Sequence, residues 1–246
     1  MKTHKWAQIA VVVVSGFCPL PSAFSQRVLT ADGLAAFGTN AATGGGGGGG
    51  GDITSNLAHW WKFDEGTGTT AADSAGSDTA TLHGTTAWTA GMIGANAIAY
   101  PSATGSGCSL ASSVTTGTTF TYAAWIYWKG AAATYQNLFS QGGSSGFWIN
   151  SSKIDWVFSG LDHRSNTVIT ANTWHHIAVV CNSSAVTFYL DGVPDGTTSS
   201  AVSFTADGMG ADGGNSGEAF NGNHDDVRFY TRALSATDIS TLYSFR

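Results

Sequence analysis

Cations are scarce in this chain, and glutamate is scarcer still. Lysine and arginine total 10 against 16 acidic residues, a formal charge of −6, and charged residues make up only 11% of the sequence. So little positive charge excludes nucleic acid and anionic membrane surfaces as partners, because both are held through Lys and Arg set against phosphates. Glutamate occurs only at Glu65 and Glu218. Glycosidic hydrolysis by the usual route needs two carboxyl groups flanking the scissile bond, and neither glutamate has an acidic residue two positions away. Three cysteines, Cys18, Cys108 and Cys181, are too few for a disulfide-built scaffold. No apolar run approaches the roughly 20 residues of a membrane-spanning helix. A Gly-x-Ser-x-Gly elbow and zinc-spaced His/Cys pairs are missing, and the glycine run lacks the Lys-Ser/Thr of a phosphate loop.

The N-terminus reads as a signal peptide over residues 1–25. Lys2 and Lys5 supply its positive region, Ile9 to Val14 its short apolar region, and Ala23 and Ser25 the small residues before a cut. The expectation is an exported chain starting at Gln26, extracellular, on the cell surface or in the periplasm. Loss of the two lysines leaves eight cations against sixteen acids, a net charge of −8. Residues 26–55 read as a flexible linker, with eight consecutive glycines from Gly44 to Gly51. Residues 56–246 are long enough to bury a core without staples. An oxidising compartment would allow Cys108 and Cys181 to pair, and as free thiols both would pack as small apolar groups.

Beyond Leu57 the punctuation is that of an all-β domain. Runs rich in aromatic and β-branched residues alternate with Gly, Ser, Asp and Asn clusters. The clearest are Ala58–Phe63, Phe120–Trp128, Gly146–Asn150, Ile154–Phe158, Trp174–Cys181, Val186–Leu190 and Phe220–Tyr230. Val186, Phe188 and Leu190 alternate with Thr187, Tyr189 and Asp191, the period of a strand with one buried face. Asp191-Gly192 then marks a tight turn. One short helix is expected from Ala236 to Tyr243, with Ser235 and Asp238 at the spacing of a capping box.

Six landmarks in order carry a resemblance. They are Trp61-Lys62-Phe63-Asp64-Glu65-Gly66; Asp73-Ser74-Ala75-Gly76 running to Leu82-His83-Gly84; Phe120-Thr121-Tyr122-Ala123-Ala124-Trp125; Trp174-His175-His176-Ile177-Ala178-Val179; Phe188-Tyr189-Leu190-Asp191-Gly192; and Phe220-Asn221-Gly222 through Asp225-Asp226-Val227-Arg228 to Arg232-Ala233-Leu234-Ser235. Together they resemble the laminin-G-like jelly rolls of the concanavalin A-like lectin/glucanase superfamily, in the variety found in secreted bacterial proteins. The resemblance implies a two-sheet antiparallel sandwich with its first and last strands adjacent. It implies no single activity, because the fold hosts lectins, adhesive modules, glycosidases and lyases. It also implies a structural Ca2+ where the opening and closing strands meet, with Asp64, Asp73, Asn221 and Asp225 as ligands. The alternative is that these side chains bond to main-chain N–H groups in turns.

A sugar site combines aromatic faces with Asp, Asn, Arg and His that bond hydroxyls. Trp148 and Trp156 lie on neighbouring strand segments, followed by Asp162, His163, Arg164 and Asn166. One of the two rings pointing outward would make a stacking platform. Asp225 and Asp226 are adjacent on a strand, so they are expected on opposite faces rather than as a catalytic pair. The expectation is a non-catalytic module that binds a polysaccharide or glycoconjugate. A structural or adhesive protein that binds a cell-surface protein is the alternative, and a glycan-cleaving hydrolase or lyase the weakest reading.

Overall fold

The structure is a computed structural model describing residues 52–246, apart from 132, 142–144, 159, 200 and 212–217. The expectations for the leader and for most of the linker lie outside these residues. Sixteen strands form the body: β1 (Leu57–Trp61), β2 (Thr70–Ala71), β3 (Ala80–His83), β4 (Ala87–Ala90), β5 (Asn96–Pro101), β6 (Gly107–Thr115), β7 (Thr119–Trp128) and β8 (Tyr135–Gln141), then β9 (Ser145–Asn150), β10 (Lys153–Phe158), β11 (Leu161–Arg164), β12 (Trp174–Asn182), β13 (Val186–Leu190), β14 (Val193–Thr198), β15 (Thr205–Met209) and β16 (Asn221–Tyr230). They assort into two antiparallel sheets, so the chain is an all-β jelly-roll sandwich. The first sheet runs β14-β13-β12-β7-β16-β5-β4 and the second β11-β10-β9-β8-β15-β6-β3-β2.

β1 joins the first sheet by pairing Trp61 with Val227 and Leu57 with Tyr230, which puts the opening and closing strands side by side as the resemblance implied. β5 pairs with the other half of β16, through Asn221 to His224. Between the two halves the register of β16 against β7 slips from Asp225 to Arg228. Asp226 there has φ of 49°, a bulge that turns its carboxylate toward Trp60 and Arg228.

Between the sheets lies an aromatic core. Phe120, Tyr122, Phe139, Phe147, Trp156, Phe204 and Phe229 are all buried there. Phe147 and Trp156 pack as tilted rings 4.8 Å apart and Phe204 lies edge-on to Trp156 at 5.1 Å. β7 is buried along almost its whole length because both of its faces are covered. Phe120, Tyr122, Ala124 and Ile126 face the core, while Ala123 on the other face belongs to a second cluster with Tyr189, Tyr230, Ile239 and Leu242. A strand buried on both faces reads as a continuous apolar run, as Phe120–Trp128 does.

That second cluster lies under α1 (Ala236–Ser244). The helix begins where the sequence places it. Ser235 Oγ accepts from the Asp238 amide at 3.1 Å, and Asp238 Oδ2 accepts from the Ser235 amide at 3.0 Å. Ser235→Ala is expected to lower stability by about 1 kcal/mol, the usual worth of such a cap. A thermal melt with an unchanged midpoint would mean that packing of Ile239 and Leu242 alone holds the helix.

Cys108 on β6 and Cys181 on β12 are both buried and free. They belong to different sheets, and Cys108 lies 3.6 Å from the Tyr100 hydroxyl. Burial pushes the Cys108 thiol up to about 12, so it stays protonated and behaves as a small apolar side chain.

Candidate ligand-binding face

Alternation decides which residues of the second sheet look away from the core. On β9, Phe147 and Ile149 enter the core cluster, so Trp148 and Asn150 take the opposite, outer face. On β10, Ile154 and Trp156 face the core and Asp155 lies between them on the outer face. Register then aligns the neighbours: Trp148 pairs with Asp155 and with Asn137, and Asp155 pairs with Arg164. Asp162 follows the same parity, while His163, paired with Trp156, turns the other way.

The outer face therefore carries one connected polar network. Asn150 Nδ2 donates to Asp155 Oδ2 at 2.8 Å and to Asp162 Oδ2 at 3.2 Å. The Tyr135 hydroxyl bonds both oxygens of Asp162 at 3.1 Å. Arg164 forms a close ion pair with Asp162, and its Nε lies 3.7 Å from Asp155. Asp155 also accepts from the His163 amide at 2.9 Å. Burial raises the Asp155 carboxyl above its ordinary value, and the nearby Asp162 charge adds to that, against the Asn150 and His163 donors and Arg164. The bond to Asp162 holds the Arg164 guanidinium firmly charged. Asp155 has no exposed surface, whereas the Arg164 side chain is 39% exposed. Asp155 and Asn150 thus hold Asp162 and Arg164 in place at the surface.

The six expected ligand residues divide accordingly. Asp162 and Arg164 sit on the outer face and can meet a ligand. Trp148 is on that face too, but its ring is only 1% exposed and its Nε1 donates to Glu218 at 3.2 Å. Trp156 is a core ring with no exposed surface. The expected stacking platform is therefore corrected: one ring fills the sandwich and the other is covered. His163 bonds Thr198 at 3.1 Å, linking the edges of the two sheets. Exposed Asn166 lies beyond β11, where its amide donates to the Asp195 carbonyl.

Tyr135, Asn150 and Asp155 were missed. A signal for Asp155 was present, because an acid between two apolar residues in Ile154-Asp155-Trp156 marks the outer face of a strand. Tyr135 carried no such signal, since Tyr135-Gln136-Asn137 reads as polar loop.

The four expected calcium ligands do not fit a metal. Asp73 accepts from the Trp60, Ala75, Gly76 and Asp78 amides and from the His59 ring. Burial alone would raise its carboxyl, but these donors outweigh burial and hold it below the ordinary value. Asp64 accepts from the Ala95 amide, and Asp225 Oδ2 from the Met92 and Ile93 amides at 2.7 and 2.8 Å. Asn221 stands four residues from Asp225 along β16, about 13 Å at the rise of a strand. Among the described residues no three His, Cys, Asp or Glu side chains gather as a metal would need. The carboxylates act as turn caps, the alternative that their chemistry left open.

The chain belongs to the concanavalin A-like lectin/glucanases superfamily, as a laminin-G family model of that superfamily matches residues 102–240. Solved structures share the fold. Domain 4 of AbnA, a GH43 extracellular arabinanase from Geobacillus stearothermophilus in complex with arabinotriose, superposes with a TM-score of 0.61 at 20% identity, over 77% of this chain and 98% of that one. The binding domain of Paraclostridial Mosquitocidal Protein 1 gives 0.60 at 16% identity, over 78% of this chain and 52% of its own. A Trypanosoma rangeli sialidase gives 0.56 at 13% identity, over 76% and 32%. Against the toxin domain and the sialidase, the chain spans only about half and a third of the other protein's length. No curated protein matches the chain.

Proposed function

We propose that this chain is an exported, non-catalytic module that binds carbohydrate on a polysaccharide or glycoconjugate, joined through the glycine-rich segment at residues 26–55. The observation that carries the reading is the outer-face network, in which buried Asp155 and Asn150 preset Asp162 and Arg164 for hydrogen bonding to hydroxyls. Preset donors and acceptors on rigid strands lose little entropy on binding. The structurally similar domain 4 of the arabinanase is a complex with arabinotriose, which supports a sugar as the ligand of a domain with this fold.

The same geometry argues against catalysis. Asp155 is sealed beneath its partners, and Asp162 is engaged by Tyr135, Asn150 and Arg164. Neither is free to pass a proton to a glycosidic oxygen. Glu65 accepts from the Ala72 amide at 2.7 Å, and Glu218 is tied to Trp148, so the scarce glutamates are held as well.

A glycan array probed with the exported chain is the test. Arg164→Ala is expected to weaken glycan signals about tenfold or more, the worth of a hydrogen bond from a charged donor, in a chain whose circular dichroism shows it still folded. Arrays without a hit, or hits that survive Arg164→Ala, would remove the reading.

A further inference from the structure

A second feature on the outer face of the second sheet is a cavity of about 570 Å³ lined by His83, Gly84, Gly107, Ser109, Leu110 and Asp207 among others. Its volume falls in the range of small-ligand sites, roughly 300–1,000 Å³. Cys108 and Leu110 point into the core, so Ser109 between them points outward. Across the strand pair, His83 Nε2 lies 2.6 Å from Ser109 Oγ. Small residues make the room. Gly84 has φ of 63°, and a Cβ there would stand 2.5 Å from the Gly105 carbonyl.

Asp207 sets this cavity apart. It lies where β15 slips register against β6, between Ala206 and Gly208. Its Oδ1 is buried and accepts no hydrogen bond. Every other acidic side chain among the described residues has a donor or a cation: Asp155 and Asp162 have Arg164, Asp226 has Arg228, Asp238 has Arg232 and Asp191 has His175. The remainder accept from N–H groups or hydroxyls, as Asp64, Asp78 and Asp195 do. Leaving a carboxylate oxygen out of water without a donor is costly, and a ligand that brings a cationic donor removes that cost.

Building on the carbohydrate-binding reading, we propose that the cavity takes a hexosamine unit with a free primary ammonium. The ammonium donates to Asp207, and the ring hydroxyls bond the Ser109 hydroxyl and the His83 ring. An acetylated amine keeps one N–H but loses the charge, so the site discriminates the free amine from the amide.

The test is calorimetric titration of the full exported chain with a glucosamine tetramer, its fully N-acetylated counterpart and trilysine. The glucosamine tetramer is expected to bind about tenfold or more tighter than the acetylated one, and Asp207→Asn to abolish that preference. Asp207 makes no hydrogen bond in the fold, so the neutral isostere does not lower the melting temperature, and the comparison of tetramers needs no variant at all. Equal affinity for the two tetramers, no binding of the glucosamine tetramer, or a preference that persists in Asp207→Asn would each overturn the assignment. Trilysine binding as tightly as the glucosamine tetramer would also overturn it, in favour of a lysine-bearing protein partner. Arg164→Ala separates the two readings. Array hits lost in Arg164→Ala alongside equal tetramer affinities leave the module a glycan binder without an amine site.

Discussion

Taking the domain from about pH 7 to about pH 4 is expected to cost it about 3 kcal/mol of stability through three buried groups, a loss that the raised carboxyls of Asp155 and Asp226 offset in part. His176 and His224 are fully buried, and desolvation pushes both down to about 3. His224 lies stacked on Phe220 at 4.7 Å and edge-on to Tyr100 at 5.0 Å, and neither of its nitrogens has a partner. The unfolded chain protonates both rings near pH 6.5 while the folded chain does not. Their contribution is therefore complete above about 6.5 and falls away as the pH drops toward 3. Asp225 has the opposite sign. Desolvation raises its carboxyl to about 7, and its Oδ1 lacks a donor, so the folded state takes up a proton that the unfolded state releases down to about 4. Acidification thus relieves Asp225 by about 3 kcal/mol, while the two histidines together lose about 6. Two substitutions separate these terms. His224→Phe, a ring of similar shape that forfeits no hydrogen bond, should leave stability almost flat across this interval. Asp225→Asn should steepen the loss to about 6 kcal/mol by removing the opposing contribution. Urea melts at both pH values measure it, and parallel pH slopes in the native chain and His224→Phe would rule out His224 as a source of acid sensitivity. Asp73, Asp191 and Asp238, all held below the ordinary carboxylate value by their donors, add a further loss only below about pH 4.

Strand identity was legible because the core is built from aromatic and β-branched residues at a period of two. Phe147, Ile149, Ile154 and Trp156 announce their strands, though not which face Trp148 and Trp156 take. The helix was legible for another reason, a local rule: Ser235 and Asp238 cap the chain wherever they stand at that spacing. What the sequence did not show was which outer-face residues meet, since that depends on register. Arg164 reaches Asp155 only because β11 pairs with β10 so that these two stand opposite. Asp225 and Asp226 illustrate the same limit. Their bulge gives them separate partners, the Met92–Ile93 turn for one and Trp60 with Arg228 for the other. Simple alternation anticipated the separation without the bulge that produces it. Tryptophan misled most. Its size and amphipathic ring suit it to sugar stacking and to a core alike, and only depth in the sandwich distinguishes the two uses.

That ambiguity gives the second large effect. Trp156→Ala is expected to cost about 3–5 kcal/mol, the range for deleting a large core aromatic, because its ring fills the space between Phe147, Phe204 and Phe120. No repacking of those rings closes a hole that large. Trp148 answers to a different pair of changes. Trp148→Phe keeps an aromatic plate on the outer face but deletes the Nε1 donor to Glu218 and part of a buried indole, so about 1–3 kcal/mol should be lost. If the outer face is the binding surface, Trp148→Phe should weaken glycan binding along with Arg164→Ala, because the smaller ring reshapes the face beside the network. Glycan binding by the folded fraction of Trp156→Ala should stay within about twofold of the native value, since its ring points to the other side of the sheet. Denaturant melts joined to array titrations at a temperature where every variant is folded separate the two effects. A Trp156→Ala chain that melts like the native one would mean the ring is not in the core. Selective loss of binding in that variant, with stability intact, would restore Trp156 as the stacking surface and unseat the face built around Arg164.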